Sequence, residues 1–287
     1  MAKPLLIVNP TASAVTEERA ATVAAVLDAE AVETTRPGHA TELAAESEAE
    51  AIVVFGGDGA FNEALNGARA GVALGFVPGG GSSVLPRALG LRREPDAAAR
   101  QIAAALAVGR KRRISVGRVN GRRFGFAAGV GFPAEIVRRV DELGRANGRR
   151  PPDRTFALAV VRALIDRRGR LAPMLEVDGE TAAFALVANG DPYTYLARLP
   201  LHFAPNASFE DGLDLVAPRL VRPRSIPGLT AAALLGRRAS GVIYRHDLDR
   251  IQVVCAEPLP LQVDGEDLGD VEEALFESER EALTVLV

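Results

Sequence analysis

Val53-Val54-Phe55-Gly56-Gly57-Asp58-Gly59-Ala60-Phe61-Asn62-Glu63-Ala64-Leu65-Asn66-Gly67 decides the fold. Ile52 to Phe55 is a short apolar run ahead of a glycine turn, the pattern of a strand buried on both faces of a parallel sheet. From Ala60 onward the spacing predicts a helix. Between the two, Gly56, Gly57 and Gly59 carry no side chains to keep a ligand off the backbone, so main-chain N–H groups can approach an anion at the helix start. Asp58, set among them, can hold a cation beside that anion. Taken alone, the segment also fits a tight strand-to-helix turn in which Asp58 merely caps the helix.

The neighbouring sequence repeats the strand-then-helix alternation. Strands are expected at Leu5–Val8, Ala31–Thr35, Ile52–Phe55 and Ala73–Val77, with helices at Thr16–Leu27, Ala40–Glu48, Asn62–Ala68 and Ser82–Leu89. This order argues for an open parallel α/β sheet whose ligands lie beyond the C-terminal strand ends. Three unusual loops follow strands and gather at that edge: Asn9 to Ser13, Gly56 to Gly59, and Pro78-Gly79-Gly80-Gly81-Ser82-Ser83. Beyond a helix near Asp96–Val108 the pattern changes. Asn120-Gly121 marks a hairpin, helices follow near Ala134–Asn147 and Arg154–Arg167 around a surface loop at 148–152, and many short strands then predict an antiparallel β-sandwich. The expected division is residues 1–113, an α/β domain, and 114–287, a β-sandwich domain, with the last strand free to return to the first domain. The cleft between them is the expected active site.

Composition narrows the function. The chain of 287 residues is 48% hydrophobic and 25% charged with a net charge of −3, a globular profile without the basic field of a nucleic-acid binder. Basic clusters at Arg110-Lys111-Arg112-Arg113, Arg149-Arg150, Arg167 to Arg170 and Arg237-Arg238 read as solvated faces or as contacts for anionic headgroups. Only Lys3 and Lys111 are lysines, so neither a P-loop nor the strand-borne lysine of a protein kinase is present. Phosphates must be held by glycine backbone and arginine. The single Cys255 cannot close an intramolecular disulfide, the three histidines show no metal spacing, and no apolar run approaches the ~20 residues that span a bilayer. A cytoplasmic protein is expected, peripheral at most to the inner membrane.

The ordered set of Asn9-Pro10, Gly56 to Gly67, Pro78 to Ser83 with Arg87, Asn189 to Tyr195, Phe209 to Asp214 and Val263-Asp264-Gly265-Glu266 resembles the diacylglycerol kinase catalytic-domain family, which includes bacterial lipid kinases and sphingosine kinases. The resemblance implies Mg2+ and ATP, with phosphoryl transfer to the hydroxyl of a diacylglycerol-like or sphingoid lipid, and it implies nucleotide binding for the first domain and a lipid substrate for the second. It implies nucleotide contacts at Asn9, Pro10, Gly56, Gly57, Asp58, Gly59, Asn62, Glu63, Gly80, Gly81, Ser82 and Ser83. Asp264 is implied as the catalytic base with Glu266 assisting it, and Asp58, Asp211 and Asp214 as metal ligands. A lipid substrate met at a membrane surface is the expected partner, with no nucleic acid and room for a homodimer. The chain departs from the family at Ala60, where threonine is usual, and at Gly81 and Ser83, where a hydroxyl and an amide are usual. Each lost hydrogen bond to a phosphate would cost ~1.5–3 kcal/mol, so a weakened nucleotide- and lipid-binding homologue is one alternative. A soluble-substrate kinase of the NAD kinase type is the other.

Overall fold

In the computed structural model the chain forms two compact units, Met1–Val116 with Arg280–Val287, and Gly117–Glu279. The structure describes residues 3–81, 83–147, 153–196 and 199–287. Ser82 and the loop expected over 148–152 lie outside the described residues.

In the first unit, β1 (Leu5–Val8), β2 (Glu30–Glu33), β3 (Ala51–Gly56) and β4 (Ala73–Pro78) run parallel in the order β2-β1-β3-β4. Every residue of β3 and β4 is buried, which is why both sequences are unbroken apolar runs rather than alternating ones. The end of the chain adds a further parallel strand, pairing Thr284 with Ala73 and Val285 with Leu74. The helices are α1 (Glu17–Leu27), α2 (His39–Glu46), α3 (Asp58–Gly67), α4 (Val84–Ala88) and α5 (Pro95–Ala107). α1 packs on α5 and α2 on α3. α3 begins at Asp58, two residues before the expected start, because extended Gly57 (φ −102°, ψ 178°) serves as its N-cap and Gly59 falls inside the first turn.

The second unit is antiparallel. β5 (Arg112–Val119), which starts in the first unit, pairs with β6 (Arg122–Phe124) across Asn120 (φ 47°) and Gly121 (φ 89°), the left-handed pair that a two-residue hairpin requires. There follow β7 (Ala127–Val130), α6 (Phe132–Asn147), α7 (Asp153–Asp166), β8 (Leu175–Val177), β9 (Glu180–Ala182), β10 (Ala185–Ala188), β11 (Thr194–Leu196), β12 (Leu199–Leu201), β13 (Leu213–Pro218), α8 (Ile226–Leu235), β14 (Val242–Leu248), β15 (Arg250–Val263) and β16 (Glu266–Val285). The main path is β14-β13-β10-β7-β15-β16. β15 serves two layers: Val253 to Cys255 pair with β8, whereas Leu261 to Val263 pair with β7 beyond a register shift. Between the layers lies one core that includes Phe124, Val177, Leu213, Val253 and Phe276.

β16 corrects the sequence reading, which expected only a short strand at Leu283–Val287. Twenty residues rich in Glu and Asp form one strand, although acidic residues disfavour strands. Cations from neighbouring elements compensate: Arg118 of β5 meets Glu277 at 3.0 Å, Arg123 of β6 meets Glu279 at 2.7 Å, and Arg138 of α6 meets Asp267 at 2.9 Å.

Candidate active site

The first unit's three loops knit together at the end of β1, β3 and β4. The Asn9 amide donates to Phe55 O (2.9 Å), Gly79 N donates to Gly56 O (2.6 Å), and Ala14 N donates to Gly79 O (2.9 Å). A Cβ on Gly79 would lie 2.9 Å from Val15 and 3.1 Å from the Gly56 backbone; one on Gly80 would lie 3.1 Å from Gly57 Cα. Only glycine lets these backbones approach so closely. Asn9 Oδ1 accepts from the Thr11 amide (3.1 Å) and hydroxyl (2.8 Å), an Asx turn at a half-buried position. Ser83, left-handed at φ 42° and buried, donates its hydroxyl to Gly80 O (3.1 Å). Asp58 and Asn62 are 3% and 1% exposed, and Asp58 Oδ1 lies 3.4 Å from the Leu85 amide at the start of α4.

Two expected phosphate contacts act differently. Glu63 Oε2 accepts from the Ala40 amide at 3.1 Å, so its carboxylate caps the otherwise uncapped N-terminus of α2. The Ser83 hydroxyl is committed as a donor within its own loop. Pro10 and Gly81 are exposed on the loops. Gly56, Gly57, Asp58, Gly59, Asn62, Gly80 and the Asn9 amide are the expected groups that the structure brings together.

In the second unit, Asp264 (φ 48°) and Gly265 (φ 80°) form the two-residue turn between β15 and β16. The Asp264 carboxylate is 4% exposed. It accepts from the amides of Gly125 (2.6 Å), Phe126 (3.0 Å) and Ala127 (3.1 Å). The three N–H donors fix the Asp264 carboxylate in place, with two on Oδ1 and one on Oδ2. Glu266, two residues on, pairs with Arg122 at 3.1 Å and its side chain is 44% exposed. Gln262, Tyr193 and Asn189, none of them singled out for a role in the sequence, complete the turn's support. Gln262 Oε1 accepts from the Gly265 amide (2.9 Å), its Nε2 donates to Tyr193 Oη (3.1 Å), and Asn189 Nδ2 donates to Gly125 O (2.9 Å). Burial, then the charge of Asp264, pushes the Tyr193 hydroxyl above its ordinary pKa. Gln262 stands three residues before Gly265 and lies 2% exposed, a buried polar residue in an apolar strand that the alternation could have flagged.

Residues 3–119 match the diacylglycerol kinase catalytic domain family. The Bacillus subtilis diacylglycerol kinase is 29% identical over 240 residues, 79% of this chain and 75% of that protein. A Streptococcus pneumoniae relative is 29% identical over 106 residues, 36% of this chain, and the match spans about a third (35%) of that relative's length. Among solved structures, a Bacillus anthracis diacylglycerol kinase shares the fold at TM-score 0.70 and 22% identity, covering 99% of this chain and 96% of its own. An Archaeoglobus fulgidus NAD kinase in complex with ATP shares it at TM-score 0.53 and 13% identity, covering 99% and 93%.

Against that family's pattern, the donor set fits phosphate and fits metal less well. The glycine cradle offers main-chain N–H groups at a helix N-terminus, and the buried Asp58 carboxylate is a hard-cation ligand of the right chemistry. Asp214, 4% exposed, instead accepts from His246 Nδ1 (2.7 Å) and the Asp247 amide (3.2 Å); burial raises its pKa, and the His246 hydrogen bond opposes the rise. Asp211 contributes its amide to a turn with Ser208 O (3.1 Å). Among the described residues no three His, Cys, Asp or Glu side chains form a metal-binding group. Of the two residues expected to ligate metal there, Asp214 thus has an imidazole as its partner.

Proposed function

We propose that this chain is an ATP-dependent lipid kinase, using Mg2+ and passing the γ-phosphoryl group to an alcohol of a diacylglycerol-like or sphingoid lipid at a membrane surface. The glycine cradle carries the reading: three loops pinned to one another present amides where Gly56, Gly79 and Gly80 leave little room for a Cβ. Phosphoryl transfer needs positioning, charge neutralisation and a proton acceptor more than covalent chemistry. The amides at the start of α3 and the Asn9 side chain hold phosphate oxygens, and Asp58 holds the cation that neutralises them.

Glu266 takes the proton of the acceptor hydroxyl as its oxygen bonds to the γ-phosphorus and the bond to the β-phosphate oxygen breaks. Arg122 orients that carboxylate, and Asp264 fixes the turn that presents it. No described helix is long and apolar enough to cross a membrane, so this reading has the lipid met from the surface. The test is labelling of a total lipid extract with radiolabelled ATP. A labelled lipid that disappears with Glu266→Gln supports the reading, with kcat reduced by roughly 10²–10⁴ at unchanged melting temperature. Label passing only to water-soluble acceptors would overturn it.

A further inference from the structure

Where Gly90 to Arg93 turn into α5, the first unit has an open hollow of about 650 Å³ whose wall carries Arg92, Arg93 and Arg100. That volume falls within the ~300–1,000 Å³ of ligand sites. We propose that this hollow is a second anion site, binding a phosphate-bearing group through the three guanidinium ions.

All three arginines are exposed, and among the described residues none has an ion pair or side-chain hydrogen bond. Elsewhere this chain, with 37 acidic and 34 basic residues, sets arginines against carboxylates, as in Arg36–Glu42, Arg118–Glu277, Arg138–Asp267 and Arg245–Asp178. Three like charges gathered without a counter-charge repel one another, and a bound anion removes that repulsion. The nearest acids do not serve. Glu94 is turned onto α5, accepting from the Asp96 amide (3.1 Å) and the Ala97 amide (2.7 Å), and Asp96 lies half-buried in the helix's first turn. The floor is braced: Gln101 Oε1 accepts from the Arg92 amide (3.2 Å) and its Nε2 donates to Gly90 O (3.4 Å). Helix and loop are thereby held with the arginines on one concavity. Guanidinium forks match phosphate oxygens bidentately, and a phospholipid headgroup and a soluble phosphate ester share that chemistry.

The test compares the full chain with Arg92→Gln/Arg93→Gln/Arg100→Gln, and with Arg168→Gln/Arg170→Gln/Arg224→Gln, which removes the same charge elsewhere. Cosedimentation with phosphatidylcholine vesicles, with and without phosphatidylglycerol, reads headgroup binding; calorimetry with inorganic phosphate and glycerol 3-phosphate reads the soluble source. A loss of roughly tenfold or more in either measurement, confined to the first variant, is expected, and the measurement that shows it names the source. No loss in both, or an equal loss in the control variant, overturns the proposal. Neither triple touches the glycine cradle or Glu266, so lipid-kinase activity without phosphate binding here would refute this site alone.

Discussion

Asp264 and Glu266 stand two residues apart, yet one is sealed under three backbone amides and the other reaches solvent beside Arg122. Asp264→Asn puts an NH2 group or a neutral carbonyl against those donors. It is expected to lower the stability of its unit by about 1–3 kcal/mol, the penalty for unsatisfied buried polar groups, read as a fall in the urea midpoint at unchanged slope. Glu266→Gln should leave that midpoint alone. In the cradle, Gly80→Ala places a methyl 3.1 Å from Gly57 Cα, which pushes the two loops apart. Loss of about one charged hydrogen bond lowers ATP affinity by roughly tenfold or more, measurable by calorimetry. The Asp-Gly pair is legible in sequence as a turn; the clamp on its carboxylate is not, because the three amides come from residues 125–127, far away along the chain.

At the scale of elements, α3 positions Asp58 and is held by its contact with α2. A Cβ on Gly67 would lie 2.0 Å from Thr41 O, where the helices touch backbone to backbone. Gly67→Ala is expected to cost about 3 kcal/mol through overpacking, seen as a lowered melting temperature, and to weaken ATP binding as α3 is displaced. β16 shows the opposite case. Its acidic sequence argues against a strand, and only the arginines of β5, β6 and α6 make twenty extended residues tolerable. Charge pairing across strands is a tertiary fact, invisible to local propensity. The parallel strands β3 and β4 were legible because burial on both faces leaves an uninterrupted apolar run.

For the whole molecule, stability against pH carries the signature of buried acids. Burial raises the Asp191 pKa above its ordinary 3.8, and hydrogen bonding to His202 only partly offsets this. The folded state thus binds a proton more tightly than the unfolded chain. This contribution is fully present below pH 3.8 and is lost as pH rises through the folded value. Asp191→Asn should remove that decline, so its melting temperature should gain on the wild type as pH rises across the window. Residue types alone made the α/β and antiparallel halves and the glycine loops legible, because strand burial, turn conformation and close backbone approach are demands that single residues meet. Arg92-Arg93 was an unremarked doublet until the fold set Arg100 beside it. The partners of each side chain were set by the fold, which places Glu63 on the start of α2, Asp214 against His246 and Asp264 under the amides of residues 125–127. Those partners are remote in sequence, and folding alone brings them within hydrogen-bond reach.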